Sequence, residues 1–219
     1  MCYSVAIDGP AGSGKSTVAK MISKELDIIY LDTGAMYRAV TLKVLSENVD
    51  FNDISSIKGI VDSISIDFKG NSIYLDGKDV SEDIRSTIVT NNVSDIAKLD
   101  YVRTKMVALQ QKIASGNNII MDGRDIGTIV LPDAELKVFL TASIEERARR
   151  RFDELVNKGK DVDMEVLKDE IARRDKIDSE RSNSPLVQAD DAILLDTSSM
   201  NINDVINFIL GKLKDRDLI

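Results

Sequence analysis

The chain has no histidine and a single cysteine among its 219 residues. Without an imidazole, Ser-His-Asp and Cys-His nucleophilic machinery is excluded, and so are most zinc sites. Cys2 alone cannot build an internal disulfide framework, and its position suggests no role. No apolar run reaches membrane-spanning length and no basic-then-apolar leader opens the sequence, so a cytoplasmic protein without a membrane partner is expected. Basic charge is also short: 29 Lys+Arg against 37 Asp+Glu leave a net charge of −8. That balance argues against a nucleic-acid polymer as partner, so any arginine cluster needs a local explanation. Phosphoryl transfer survives these exclusions, because it relies on positioning, Mg²⁺ and cationic side chains rather than on histidine.

What is present is a glycine-rich loop. Gly9-Pro10-Ala11-Gly12-Ser13-Gly14-Lys15-Ser16-Thr17 follows the apolar run Val5-Ala6-Ile7-Asp8. This is G-x-x-x-x-G-K-[ST] in a strand–loop–helix setting, the phosphate-cradling arrangement. The glycines allow backbone N–H groups to turn inward around anionic oxygens, and the helix from Lys15 aims its positive dipole end at them. Lys15 is expected to reach the β/γ-phosphates, and the Ser16 hydroxyl to sit on Mg²⁺.

Five short apolar runs suit buried parallel strands: residues 3–8, 28–31, 118–122, 136–140 and 192–196. Helical stretches at residues 15–26, 35–47, 102–114, 144–156 and 164–177 separate most of them. A last amphipathic helix carries Val205, Ile206, Ile209, Leu210 and Leu213 on one stripe. The alternation predicts an α/β fold: a five-stranded parallel sheet with helices on both faces. Ligands then bind at the carboxyl ends of the strands, where Asp8, Asp32 and Asp122 fall. Residues 52–80 break the rhythm. Ile64-Ser65-Ile66-Asp67-Phe68 and Ser72-Ile73-Tyr74-Leu75 flank the turn signal Lys69-Gly70-Asn71, which predicts a small inserted antiparallel hairpin.

Four stretches bear on what accepts the phosphoryl group. In Leu31-Asp32-Thr33-Gly34-Ala35-Met36-Tyr37-Arg38, Thr33 and Gly34 can cap the next helix. Arg38, one turn inside, can hold a phosphate or carboxylate in a bidentate pair, although taken alone it reads more readily as a solvated helix residue. Asp122 sits where the third strand ends, as expected for a carboxylate holding Mg²⁺ through water. Arg124 and Asp125 beside it are poorly explained by the turn chemistry of Asp-Gly. Arg174, Asp178 and Arg181 lie along one helical face, either as a surface ion-pair ladder or as part of an anion site. Ser143 to Glu146 reads as a capping box, followed by Arg147, Arg149, Arg150 and Arg151. That pattern suits a mobile helical lid over residues 147–165, folding arginines onto the transferring group, or equally a solvated basic helix balanced by its glutamates.

With these motifs the chain resembles the bacterial cytidylate kinases, nucleoside monophosphate kinases of the P-loop NTPase fold. The markers are residues 9–17, Asp32 to Arg38, Asp122-Gly123-Arg124-Asp125-Ile126-Gly127-Thr128 and Arg173-Arg174-Asp175. The resemblance implies ATP-dependent, Mg²⁺-assisted phosphorylation of CMP and dCMP, and a monomer is expected. It implies a core of residues 1–37 and 109–219, and a monophosphate-binding region of residues 38–108 that contains the insert. By position, Arg38, Arg124 and Arg181 are implied to clamp the acceptor phosphate. Ser94, Arg103 and Asp125 are implied to read cytosine, with Ser94 also near the sugar, and Arg174 and Asp178 to contact the ribose. Thr33 keeps the hydroxyl of the serine that some members carry. Lys15, Asp122, Arg147, Arg150 and Arg151 are the expected catalytic groups, with Ser16 and Asp122 at the metal.

The nearest alternative is a P-loop kinase acting on AMP, UMP or a shikimate-like acceptor. A carboxylate at Asp125 discriminates, since shikimate offers it no amine. A GTP-binding switch would carry Asn-Lys-x-Asp for guanine, and the only Asn-Lys here, Asn157-Lys158-Gly159-Lys160, lacks the aspartate.

Overall fold

Strand β1 (Ser4–Asp8) is apolar on both faces, and Val5, Ala6 and Ile7 are fully buried. A strand with no polar face belongs in the middle of a covered sheet. It lies there, between β6 (Ile119–Gly123) and β7 (Leu136–Thr141), in the order β2-β6-β1-β7-β8, with β2 at Ile29–Asp32 and β8 at Ile193–Asp196. The β1/β6, β1/β7 and β7/β8 pairs are parallel. Helices α1 (Lys15–Leu26) and α8 (Ile202–Lys214) pack apolar stripes on the sheet, so Val18 and Ile22 meet Ile7, Val138, Ile209 and Leu213 in one core. Helix α8 starts with a capping box between Asn201 and Asp204. The remaining helices of this part are α6 (Ile144–Asn157) and α7 (Met164–Glu180).

This computed structural model describes residues 2–70, 72–157 and 159–219. Asn71, in the expected hairpin turn, and Lys158, in the Asn-Lys step, lie outside the described residues. The chain divides into two units: one runs to Leu31 and resumes at Ala114, and the other is Asp32–Ile113. The first holds most of the parallel sheet. In the second, α2 (Thr33–Ser46) starts under the Asp32 carboxylate, which accepts from Ala35 N at 2.9 Å. The cap is therefore Asp32, and Thr33 is the first helical residue rather than the cap expected from sequence.

The expected hairpin is larger than two strands. β3 (Ile66–Lys69) and β4 (Ser72–Leu75) pair antiparallel, and β5 (Lys78–Asp79) adds a third strand on the far edge of β4. Two helices absent from the sequence reading complete the unit, α3 (Ile54–Ser63) and α4 (Thr87–Ala97), before α5 (Asp100–Ala114) leads back to the sheet. Among the described residues, no helix is long and apolar enough to cross a membrane.

Candidate phosphate and acceptor site

The loop after β1 is shaped by contacts that only glycine permits. At Gly9 φ is 145°, and a Cβ there would lie 1.9 Å from the Leu140 carbonyl oxygen. Side chains are thus excluded where the chain leaves the sheet. Gly14 ends the loop in the left-handed region and no side chain caps α1, so the first N–H groups of that helix remain available to an anion.

Lys15, the first residue of α1, is buried with its Nζ 2.7 Å from the Pro10 carbonyl and 3.4 Å from Ser13 Oγ. Burial pushes its pKa down and the Arg124 charge adds to that, against the pull of Asp122, Asp8 and Asp178. A phosphate arriving here would supply the negative charge this ammonium lacks. The Ser16 hydroxyl donates to Asp122 Oδ2 at 2.8 Å, which brings the two expected metal-site oxygens together across 106 residues. The other Asp122 oxygen accepts from the Tyr30 hydroxyl at 2.8 Å. Tyr30 was missed in the sequence because a single tyrosine on a short strand gives no sign of its partner.

Directly after Asp122 and Gly123 the chain presents Arg124 and Asp125. Arg124 Nε donates to Asp178 Oδ2 at 2.8 Å. Asp178 Oδ1 lies 3.6 Å from Arg181 Nη1, and Arg181 Nη2 lies 3.9 Å from Asp125 Oδ1. Four of the expected acceptor residues therefore form one buried chain of alternating charge. Burial opposes both members of the Arg124–Asp178 pair, yet the net shift favours the ion pair. The Asp178 carboxyl is held below its usual range by Arg124 and then Arg181, and Arg124 is held above its own. Arg174 is half-buried one turn before Asp178 on α7.

The α6 arginines divide by partner. Arg147 is buried, with Nε donating to the Ala142 carbonyl at 2.9 Å and Nη1 to the Ala11 carbonyl at 3.1 Å. The same Nη1 is 2.7 Å from Asp175 Oδ2 on α7, and a Cβ on Gly12 would sit 3.2 Å from the Arg147 Cβ. Arg147 thus backs the phosphate loop and ties α6 to α7. Arg150 Nη2 donates to the Thr197 carbonyl at 2.6 Å and its Nε to Glu146 at 2.8 Å. Arg151 pairs with Glu154 at 2.7 Å near the surface. Only half of the expected capping box forms: Glu146 N donates to Ser143 Oγ, while the Glu146 carboxylate turns to Arg149 and Arg150, which hold its pKa down at about 2. Asp175 and Thr197 are further residues that the sequence reading left out of the site.

The other four expected substrate residues lie in the second unit. Thr33 and Arg38 are on α2, the first buried and the second half-buried, and Ser94 is buried on α4. Arg103 of α5 is buried, stacks 5.2 Å from the Tyr37 ring centroid and donates to the Ala97 carbonyl at 3.1 Å.

Fold and loop together define a protein of the P-loop nucleotide-binding class. The chain resembles a solved uncharacterized protein from Eubacterium ventriosum, with TM-score 0.55, 12% identity and coverage of 98% of this chain and 99% of that one. It is also similar to a gluconokinase from Sinorhizobium meliloti, with TM-score 0.51, 14% identity and coverage of 97% and 92%. A shikimate kinase from Bacteroides thetaiotaomicron gives TM-score 0.50, 12% identity and coverage of 97% and 98%. At such identities the likeness concerns the fold. Sequence is more specific: the cytidylate kinase family profile matches residues 5–215. Cytidylate kinases of Alkaliphilus oremlandii and Bacillus thuringiensis are each 52% identical, the first over 96% of this chain and 97% of the relative, the second over 95% and 94%. The chain belongs to the cytidylate kinase family.

Proposed function

We propose that the protein transfers the γ-phosphoryl group of ATP to the phosphate of CMP or dCMP, giving ADP and CDP or dCDP. An acceptor phosphate oxygen forms the new P–O bond in line as the bond to the ADP oxygen breaks. The observation that carries this reading is the run from Asp122 to Asp125. Asp122 faces the phosphate loop through Ser16, and the next two polar residues enter the Arg124–Asp178–Arg181 chain. Membership of the cytidylate kinase family supports the choice of acceptor.

Lys15 and the loop N–H groups hold the donor phosphates and meet charge that grows as the bond to ADP breaks. Ser16 and Asp122, two hard oxygens 2.8 Å apart beside the loop, suit Mg²⁺, with Asp122 acting through water. When bound, that ion offsets phosphate charge and lends Lewis acidity. Arg38, Arg124 and Arg181 hold the acceptor phosphate, and Arg174 and Asp178 its ribose. Thr33 and Ser94 complete the acceptor contacts through their hydroxyls. Residues 38–108 act as the monophosphate-binding region. Arg147, Arg150 and Arg151 serve a lid over residues 147–165, with Arg147 and Arg150 at its anchored root and the moving part beyond them. We read the protein as a cytoplasmic monomer with small-molecule substrates.

Base choice follows from hydrogen-bond polarity. Cytosine offers an amine donor at C4 and an acceptor at N3, and uracil reverses both. Asp125 accepts from the amine and Arg103 donates to N3 or O2. With uracil, Asp125 would face oxygen lone pairs, and buried polar groups would be left unmatched. Sites of this kind reject the wrong partner by up to ~10⁴-fold. The test is ADP release from ATP and Mg²⁺ with CMP, dCMP, UMP, AMP and shikimate offered separately. CMP and dCMP should be strongly preferred, with the preference over UMP reduced in Asp125→Ala. Equal use of UMP and CMP would overturn the cytosine assignment, and use of shikimate alone would overturn the acceptor class.

A further inference from the structure

Asp8 ends β1 and is 5% exposed, a carboxylate placed where the central strand leaves the sheet. Its two oxygens reach across the sheet end to the turn after β6. Oδ1 accepts from Ile126 N at 2.8 Å, and Oδ2 accepts from Gly127 N at 2.7 Å. These two N–H groups open the wide helical turn Ile126–Val130, whose own bonds run from Ile129 N and Val130 N back to the Asp125 carbonyl. The first N–H groups of a helical turn have no partner inside it, and Asp8 satisfies both. The contact is also tight. A Cβ on Gly127 would lie 3.1 Å from Lys137 Cδ and 3.4 Å from Asp8 Oδ2, and Lys137 is itself anchored to the Pro132 carbonyl and to Asp191.

Burying a carboxylate is costly, and the setting only partly compensates it. The two N–H groups and the Lys15 charge favour the ionised form, while burial and the neighbouring Asp125 oppose it. An apolar residue would close the strand end without that cost, but it could not hold two backbone donors. The turn so held begins directly after Arg124 and Asp125.

We propose that Asp8 is a positioning residue for the acceptor nucleotide: by accepting from Ile126 and Gly127 together, its carboxylate sets the backbone that aims Arg124 and Asp125. It touches neither substrate. The proposal rests on reading Arg124 and Asp125 as acceptor contacts, and it adds a residue that this reading does not contain.

Asp8→Asn keeps the shape and one acceptor oxygen but turns an amide NH₂ toward one of the two N–H groups. The turn must then shift, and displacements well under 1 Å in a binding constellation are felt. Calorimetric titration of the full-length enzyme with CMP, and separately with a nonhydrolysable ATP analogue, reads the consequence. In Asp8→Asn, CMP should bind about 10-fold more weakly while the ATP analogue stays within about 2-fold, with cooperative melting retained. Gly127→Ala crowds the same turn against Lys137 and Asp8 Oδ2, should give the same selective loss, and carries the test if Asp8→Asn does not fold. Equal weakening of both ligands would make Asp8 a general structural residue and overturn the proposal, as would unchanged CMP binding. Arg124→Ala separates the two levels. If it binds CMP normally, the acceptor reading itself fails and takes the proposal with it. If it loses CMP while Asp8→Asn does not, only the role of Asp8 is lost.

Discussion

Lys15 shows how a single side chain can be stable in place and still poised to change partners. Its hydrogen bonds go to neutral oxygens of its own loop, Pro10 O and Ser13 Oγ, so a buried positive charge is solvated by dipoles rather than paired with a carboxylate. Phosphate oxygens bind an ammonium more strongly than carbonyls do, and most strongly as negative charge accumulates in the transition state. Lys15→Ala should therefore leave the melting temperature near that of the parent and lower kcat by roughly 10²–10³-fold, the scale for losing one preorganised charge-stabilising donor. Turnover at saturating ATP and CMP, measured alongside a thermal melt, checks this. A folded Lys15→Ala enzyme working at the parent rate would remove the phosphate-loop assignment.

At the scale of elements, α6 is anchored at its root and more exposed beyond it. Arg147 and Ala148 are buried in its first turns, whereas beyond Arg150 only Leu155 is buried. The expectation of arginines closing over the reaction thus belongs to the outer part of α6 and the connection to α7. With CMP and a nonhydrolysable ATP analogue bound, amide exchange should slow over residues 151–165 and change little over residues 144–150, where Arg147 already ties the helix to Ala11, Ala142 and Asp175. Unchanged exchange over residues 151–165 would remove the lid. The same scale shows where sequence patterns sufficed. Strands of the parallel sheet were legible because both their faces are apolar, and α1 and α8 because their stripes repeat at helical spacing. Helix α3 has a signal of its own in the sequence: Asp53 caps Ser56 N, and Ile57, Ile60 and Val61 form its buried stripe. Helix α4 carried a weak one. Its Thr-Ile-Val-Thr-Asn-Asn start disfavours helix by propensity, and the burial of Val89, Val93 and Ile96 overrides it. Strand β5, two exposed charged residues, has no sequence signature at all.

Across the whole molecule, what the sequence could not show is pairing between distant residues. The phosphate loop and the Asp122 strand end were visible separately, but nothing local joins Tyr30 to Asp122 or Asp8 to Gly127, 92 and 119 residues apart. One such pairing should be measurable in global stability. Burial, opposed by the Ile126 and Gly127 N–H groups and by Lys15 and reinforced by Asp125, leaves the Asp8 carboxyl pushed up to about 6 from an ordinary value of 3.8. The folded protein then holds this proton more tightly than the unfolded chain does. Its contribution to stability is complete below the unfolded pKa, falls as pH rises from about 4 to about 6, and is level above that. The full drop is on the order of 3 kcal/mol, taking ~1.4 kcal/mol for each pKa unit. Other carboxylates work in the opposite sense: Asp178, held low by its arginines, loses its contribution as pH falls below the carboxylate range. The Asp8 component is therefore isolated as the difference in unfolding free energy between the parent and Asp8→Asn, measured by denaturant titration at intervals from pH 4 to 7.5. That difference should move against the parent with rising pH and flatten above pH 6. A difference that is constant across the range would mean that Asp8 titrates alike in the folded and unfolded chains, and that the two backbone donors offset its burial in full.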